Sequence, residues 1–501
     1  MLLREENEHL KRGLLGQKAE RLPKNDAQLS LAILDLCLGG EDGEPEEETP
    51  DVDPREKPEQ EIPAHRRRKA KRKPLPEHLP RVTIELLPPE VERQGLNAFK
   101  VIGEDCREVL EYRPASHVVV RLVRKKFVPQ ETGTETASTR VAIAELPELP
   151  IERGLAGPGV LADTLVRRWQ DHLPLHRLES IYEREGMRLS RSTVCGWHME
   201  LAELAQPLVK AMKQDAYRAP YLCTDATGVL VQAKEACKRG HFWVLLAPDR
   251  HVLFEYSARH NGAAVDQLLA GYEGYLVADA HSVYDHLYRD QAVTEVACWA
   301  HCRRYFIKAI ASDPERAKQA LAPIAALFRL ERALATAPRK KKASARAKKS
   351  RPLVERFFSW CEAHRDAVLD ESPMAQAIGY AMNQKNALSR FLDDGRLPLH
   401  NNDSERALRR QAIGRKNWLF VGSSDGANAN TTFVSLLASC QMHCIEPWAY
   451  LRDLLCLLPR WPIARVLELA PLYWKQTLEQ PDTQQRLHAD VFRRAGLKIR
   501  D

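Results

Sequence analysis

The period of apolar residues changes several times along the chain, and each change marks a different kind of element. In residues 1–20, Leu3 and Leu10 stand one heptad apart and Leu14 follows near the seam. That is the spacing of a short coiled coil or of an ordinary amphipathic helix. Residues 28–38 (QLSLAILDLCL) form a short apolar helix, so 1–39 read as an N-terminal helical, coiled-coil-like segment. Prolines then recur at 45, 50, 54, 58, 63, 74, 76 and 80 among charge runs, which predicts a disordered linker over 40–80. Residues 81–145 partly alternate apolar and polar and include the β-branched run Ser116–Val123, the pattern of a small β-rich module. A Thr/Glu-rich stretch at 130–139 reads as a loop within it.

Over 150–213 the period turns helical. The run Leu173–Tyr182, the turn residue Gly186 and a second helix capped by Ser190 make a helix-turn-helix candidate. Its second helix would present Arg191, Ser192 and Thr193 where recognition helices meet bases. A plain helical hairpin is the alternative. Strands follow over 218–302: Tyr221–Val231, then His241–Ala247 and His251–Ser257 joined through Pro248-Asp249-Arg250. Next come a helix over 262–273, a strand Gly274–Ala278, a strand Val293–Ala300 and a helix Arg303–Ser312. This order predicts a mixed α/β sheet of the ribonuclease-H type. Residues 303–397 read as a helical insertion carrying a basic loop at 339–351 (RKKKASARAKKSR). Residues 398–460 complete the core: a helix after Asn401, a strand Trp418–Val421, a Gly/Ser/Asn loop at 422–430, and a helical stretch from Thr432 to about Leu458. Residues 461–501 read as a C-terminal tail.

Composition narrows the class. The chain has 501 residues, 44% hydrophobic and 29% charged, as expected of a soluble globular protein of several domains. No run approaches the ~18 apolar residues of a membrane span, and Met1–Asn7 lacks a secretory signal's apolar core. A cytoplasmic, nucleoid-associated protein is expected. Its eleven cysteines include no Cys-x-x-Cys pair, so neither a zinc ribbon nor a disulfide framework is indicated. The net charge of +7 is unevenly placed: 41–61 is acidic, while 65–73 (HRRRKAKRK) and 339–351 are basic. Such blocks are either solvated linkers or sites that neutralise DNA phosphates.

Three carboxylates stand out. Phosphodiester chemistry is well served by two divalent ions about 3.5–4 Å apart, held by carboxylates on rigid elements. Asp225 lies inside a predicted strand, where a buried carboxylate is costly unless paired or metal-bound. Asp279 ends another strand, a preferred place for ligand sites in α/β folds. Each also has a structural reading, as a turn acceptor and as a helix cap. Glu405 has two readings as well. If Asn402 is the N-cap, Glu405 sits where a capping-box glutamate belongs. Otherwise it projects from the first helical turn toward the aspartates, with Arg406, Arg409, Arg410, Arg415 and Lys416 facing phosphates. Cys298, His301 and Cys302 form a C-x-x-H-C cluster, one ligand short of a structural zinc site.

These segments resemble the insertion-sequence sixty-six family of bacterial transposases. The resemblance rests on Asn401-Asn402-x-x-Glu405-Arg406, Gly414–Phe420, Gly422-Ser423 and Pro447-x-x-Tyr450-Leu451. Gly154–Gly159, Asp171–Leu175, Leu189–Thr193, Cys298–His301 and Glu20–Leu22 match too, in the right order over most of the chain. The resemblance implies a DDE transposase: a ribonuclease-H-like catalytic core with a helical insertion, preceded by a helical DNA-binding domain, a small β-rich module and an N-terminal helix. It implies Asp225, Asp279 and Glu405 as catalytic and metal-binding residues, and Cys298 and His301 as buttresses near the site. It implies two Mg²⁺ ions, with Mn²⁺ as a substitute, and as partners terminal inverted repeats, target DNA, further copies of the chain on DNA and small accessory proteins. Two departures matter. Family members usually carry a cysteine-rich, zinc-finger-like segment where residues 81–130 hold only Cys106, so bound zinc is not expected. They often have an acidic residue where this chain has Ala226. The competing readings are a catalytically inactive DNA-binding remnant of such an element, and a helical interaction protein whose acidic positions are only caps.

Overall fold

The computed structural model describes residues 75, 77, 79–113, 116–129, 141–152, 154–234, 236–289 and 292–497. The expected N-terminal helices, nearly all of the charged linker including the basic run 65–73, and the 130–139 loop lie outside these residues.

The β-rich module is built on a long antiparallel hairpin, β2 (Phe99–Arg113) with β3 (Ser116–Pro129). Strand β1 (Arg81–Leu86) pairs parallel to β3, and the two-residue β4 (Ala142–Ile143) pairs antiparallel to it. Alternation divides the side chains between two cores. Val109, Val118, Val120 and Leu122 pack with Val491, Phe492 and Ala495. Leu110 and Val119 point the other way, into the main core with Ala156 and Val160. The expected C-terminal tail is therefore corrected: its helix Val491–Leu497 covers one face of the module, and Leu469 and Trp474 are also buried.

Three helices follow: α1 (Pro158–Trp169), α2 (Leu175–Arg184) and α3 (Arg191–Ala216). Pro158 opens α1, where a missing N–H costs nothing. Gly186 sits at φ 84° between α2 and α3, a conformation that favours glycine. The Ser190 hydroxyl accepts the Thr193 amide at 3.2 Å and caps α3 as its sequence predicts.

The central sheet runs in the order β7-β6-β5-β8-β9. It comprises β5 (Leu222–Val231), β6 (Lys238–Ala247), β7 (His251–Ser257), β8 (Gly274–Ala278) and β9 (Val293–Ala297). The first three strands are antiparallel, and β5, β8 and β9 run parallel. Helix α4 (Gly262–Leu268) is shorter than the expected 262–273 and leads into β8. Strand β9 stops at Ala297, because α5 (Trp299–Lys308) begins earlier than expected and carries His301 on a helix.

The insertion is helical throughout, with α6 (Pro314–Ala333), α7 (Arg351–His364) and α8 (Pro373–Asn383) as its main members. The expected basic loop at 339–351 is corrected to a short helix Arg339–Ala345, a π turn Arg346–Ser350 and the start of α7. Its physical reason is Arg346. This side chain is buried and bonds Glu331 through Nε and Nη2 at 2.8 and 2.7 Å. It also donates to the carbonyls of Phe391, Asp394 and Leu397. One cation of the block therefore holds the insertion together, while Lys340, Lys341, Lys348 and Lys349 stay exposed.

Helix α9 (Asn402–Trp418) returns the chain to the sheet, and the strand after it, β10, is only Phe420–Val421, pairing parallel to β5. The expected loop at 422–430 is mostly helix. Ser423 caps α10 (Ser424–Met442) by accepting the Gly426 amide at 3.0 Å. One turn apart on α10, Ser435 and Ser439 accept the Phe254 and Val252 amides, so two helix hydroxyls seal the edge strand β7. Helix α11 (Pro447–Leu457) follows after a break. Among the described residues no helix is long and apolar enough to cross a membrane.

Candidate active site

Strand register brings the two aspartates together. On the parallel pair β5/β8, Leu222 is opposite Leu276 and Cys223 is opposite Val277. Continuing each strand by two residues reaches Asp225 and Asp279. The interval between the aspartates is 279 − 225 = 54, and the register offset is 276 − 222 = 54, the same number. Neighbouring strands lie about 4.8 Å apart, and residues in register share a face. Both carboxyls accordingly line one cleft of about 300 Å³, with Ala226, Gly228, Arg239, His241, His260, His281 and Tyr284.

Crowding two acids in a partly buried cleft disfavours their charged forms. Burial, and next the charge of Asp279, push the Asp225 carboxyl up to about 7. Its Oδ1 accepts the Ala226 amide at 2.7 Å, which opposes the rise, and the Glu405 charge adds to it. Burial raises the Asp279 carboxyl as well, against the charge of His281 and the His281 amide. Arg304 is a cation that bears on both.

Glu405 reaches this neighbourhood through Asn401. The N-cap of α9 is Asn401, not the expected Asn402, and its side chain makes no cap bond. Asn401 is buried. Its Nδ2 donates to the Thr224 carbonyl at 2.9 Å, and its backbone N–H donates to Cys298 Sγ at 3.2 Å. Cys298 is in turn the N-cap residue of α5. The residue just before Asp225 is thus tied to the start of the glutamate helix, and both are tied to the end of β9. With the cap one residue earlier, Glu405 is the fourth helical residue and its capping-box reading fails. Its carboxylate instead accepts Arg304 Nη2 at 2.6 Å and lies 3.5 Å from His301 Nε2. Burial lowers His301 to about 3, so that ring is neutral.

The geometry therefore joins Asp225 and Asp279 in one cleft and sets Glu405 close enough for its charge to reach Asp225. Among the described residues, no group of three or more His, Cys, Asp or Glu side chains is gathered in metal-holding geometry. The donors present suit a hard divalent cation: two carboxylates share a cleft, both raised by burial, and Asp225 further by the charge of Asp279.

The expected DNA-facing residues divide. Arg191, Ser192 and Thr193 are exposed at the start of α3, and Arg406, Arg409 and Lys416 are exposed on α9. Arg410 and Arg415 are half-buried and bonded to protein groups. Arg410 donates to Gln170 at 2.7 Å and also to Gln441. Arg415 donates to Thr227 Oγ1 at 2.7 Å and to the Gly228 carbonyl at 2.6 Å, pinning α9 to β5.

Sequence reasoning missed Arg304, which holds Glu405, and the cleft residues Arg239, His241, His260, His281 and Tyr284. Position relative to Asp279 was a usable signal for His281 and Tyr284. The others depend on strand pairing and on the hairpin's twist. The His260 ring stacks on Trp243 at 4.8 Å and meets His241 at 5.0 Å and His281 at 4.7 Å.

Residues 153–429 match the family model described as "Transposase IS66 family". Residues 2–84 match one described as "Transposase C of IS166 homeodomain". The chain is 28% identical over 495 residues to the uncharacterized protein y4hP of Sinorhizobium fredii (strain NBRC 101917 / NGR234), covering 94% of this chain and 88% of the relative. It is 31% identical over 432 residues to y4qI of the same organism, covering 81% and 79%.

Proposed function

Because the chain belongs to the IS66 family of transposases, we propose that it binds the terminal inverted repeats of its element and catalyses metal-dependent DNA strand cleavage and strand transfer. The observation that carries this reading is the shared register of Asp225 and Asp279 over one cleft. Three antiparallel strands followed by two parallel ones support a ribonuclease-H-like core interrupted by the helical insertion. Mg²⁺, or Mn²⁺ in its place, held as a pair by Asp225, Asp279 and Glu405, would supply nucleophile activation and stabilise the leaving oxygen.

The chain's own residues do the rest. Asn401 and Arg415 hold the glutamate helix on β5, so Glu405 and Asp225 keep a fixed relation. Arg304 orients Glu405 and offsets the charge of the aspartates. The exposed start of α3 reads base edges with Arg191, Ser192 and Thr193, and exposed Arg406, Arg409 and Lys416 meet phosphates. The protein works on chromosomal DNA in the cytoplasm as a homo-oligomer assembled on DNA, with small accessory proteins of the element.

The test is cleavage of a duplex carrying the inverted repeat that flanks the gene. Wild type should cut it in Mg²⁺ or Mn²⁺. Asp225→Asn and Asp279→Asn should bind it normally and lose cutting by about a hundredfold or more, a few kcal/mol of transition-state stabilisation. Specific binding with no cutting by wild type would identify an inactive remnant.

A further inference from the structure

Arg239 lies in the cleft with the two aspartates, yet its charge is not used by them. It sits on β6 opposite Leu230 of β5, and its side chain folds back over Gly228. A Cβ at position 228 would stand 3.2 Å from Arg239 Nε and 3.4 Å from Nη2. The glycine therefore leaves room for the Nε–Nη2 edge of the guanidinium against the strand, where a side chain on residue 228 would crowd it. Arg239 lines the same cleft as Asp225 and Asp279, is exposed, and forms no ion pair or side-chain hydrogen bond among the described residues. The cation bearing on both aspartates is Arg304, which is committed to Glu405. His241 and His260, in contact with their rings tilted, wall the cleft beside Arg239.

An exposed, unpaired guanidinium beside a phosphodiester-cleaving site offers planar N–H donors and a charge that match a phosphate's oxygens. Gly228 is three residues from Asp225, so this place lies about 10 Å along the strand from that carboxylate at ~3.3 Å per residue. Successive phosphates of one strand advance about 3.4 Å along a duplex, which puts the matching phosphate within about three linkages of the cut. We infer that Arg239, beside Gly228, grips a backbone phosphate of the DNA within a few linkages of the scissile one and sets its register against Asp225 and Asp279. The inference rests on the reading of the aspartate cleft as the site of DNA cleavage.

The test uses full-length protein and flanking-repeat duplexes carrying single, uncharged methylphosphonate linkages, stepped through the region of the cut. Binding is measured in Ca²⁺. Arg239→Ala should weaken binding of the unmodified duplex about tenfold, the scale of one charged hydrogen-bonding contact. One non-scissile linkage should cost wild type a similar factor and cost Arg239→Ala nothing further, and Arg239→Lys should recover part of the loss. Equal binding by Arg239→Ala, or losses that multiply at every linkage, would overturn the inference. Cutting by wild type in Mg²⁺ is scored separately, so failure of the cleavage reading is visible apart from failure of the Arg239 contact. Arg239→Ala should melt like wild type, since no protein partner is lost.

Discussion

The guanidinium of Arg304 on α5 donates to the carboxylate of Glu405 on α9 at 2.6 Å, across an interval of 101 residues. Both side chains are partly open to water, so the pair itself is worth at most about 1 kcal/mol. Its importance lies in direction. It draws the glutamate outward from the helix end and away from any capping bond.

Glu405→Gln should therefore leave folding nearly untouched, with a stability change below about 1 kcal/mol in urea titrations. Cleavage should fall by about a hundredfold or more, because each ~1.36 kcal/mol of lost transition-state stabilisation is a factor of ten. Near-normal cutting would remove Glu405 from the catalytic set.

Asn401 should behave in the opposite way. Its amide satisfies the buried Thr224 carbonyl, and nothing else described does so from the helix side. Asn401→Ala leaves that carbonyl unpaired, at a cost of about 1–3 kcal/mol. Asn401→Asp should cost more, because an acceptor then faces an acceptor in a site closed to water. Chemical denaturation of both variants gives the order, and equal stability would show that the Thr224 contact is dispensable.

Within the basic stretch 339–351, one residue should carry the stability. Arg346→Met strands the Glu331 carboxylate and removes a donor from the Phe391, Asp394 and Leu397 carbonyls, and should destabilise by about 3–5 kcal/mol. Replacing Lys340, Lys341, Lys348 and Lys349 by alanine should each change stability by no more than about 0.5 kcal/mol. If these lysines meet DNA phosphates, the same substitutions will flatten the dependence of binding on salt. A stable Arg346→Met protein would contradict the structural role given to that arginine.

Buried His198 makes stability depend on pH. Its Nε2 meets Thr164 Oγ1 at 3.1 Å, and burial lowers its pKa from 6.5 to about 3. Between those values the unfolded chain binds a proton that the folded protein refuses. The stabilisation is complete above about pH 6.5 and is lost as the pH falls toward 3, at up to about 1.4 kcal/mol per pH unit. His198→Gln should be less steeply acid-sensitive by that slope in denaturation series from pH 7 to 4. An unchanged slope would mean that His198 is protonated in the folded protein.

Much of the sheet was legible because each of its strands is bounded by turn chemistry. Pro248-Asp249-Arg250 predicts the β6–β7 hairpin, and Asp249 does adopt φ 58°. The strand ending at Ala278 was legible from its apolar run. What escaped was decided by tertiary packing. The period of α9 alone cannot say whether Asn401 or Asn402 caps it, because the choice follows from the Thr224 carbonyl 177 residues away. The stretch 339–351 looks like a loop because its side chains are charged, and only Glu331 and three carbonyls that accept its guanidinium make one of those charges a core residue. The 461–501 segment lacks a strong period because its helices are short, yet Phe492 finds a waiting apolar face on β2 and β3. Arg304 and Arg239 give no local signal, since their meaning lies in what faces them.

Helix α9 is fastened to β5 at both ends, by Asn401 to Thr224 and by Arg415 to Thr227 and Gly228. Asp225 lies between these anchor points. Glu405 and Asp225 thus travel as one rigid jaw, and no swing of the helix can part them without breaking a buried bond. On the proposed function, any adjustment of the cleft to DNA must come from the opposite jaw, the Asp279–Tyr284 turn, or from the side chain of Arg304 letting go of its glutamate. The substrate would then close the site from one side only.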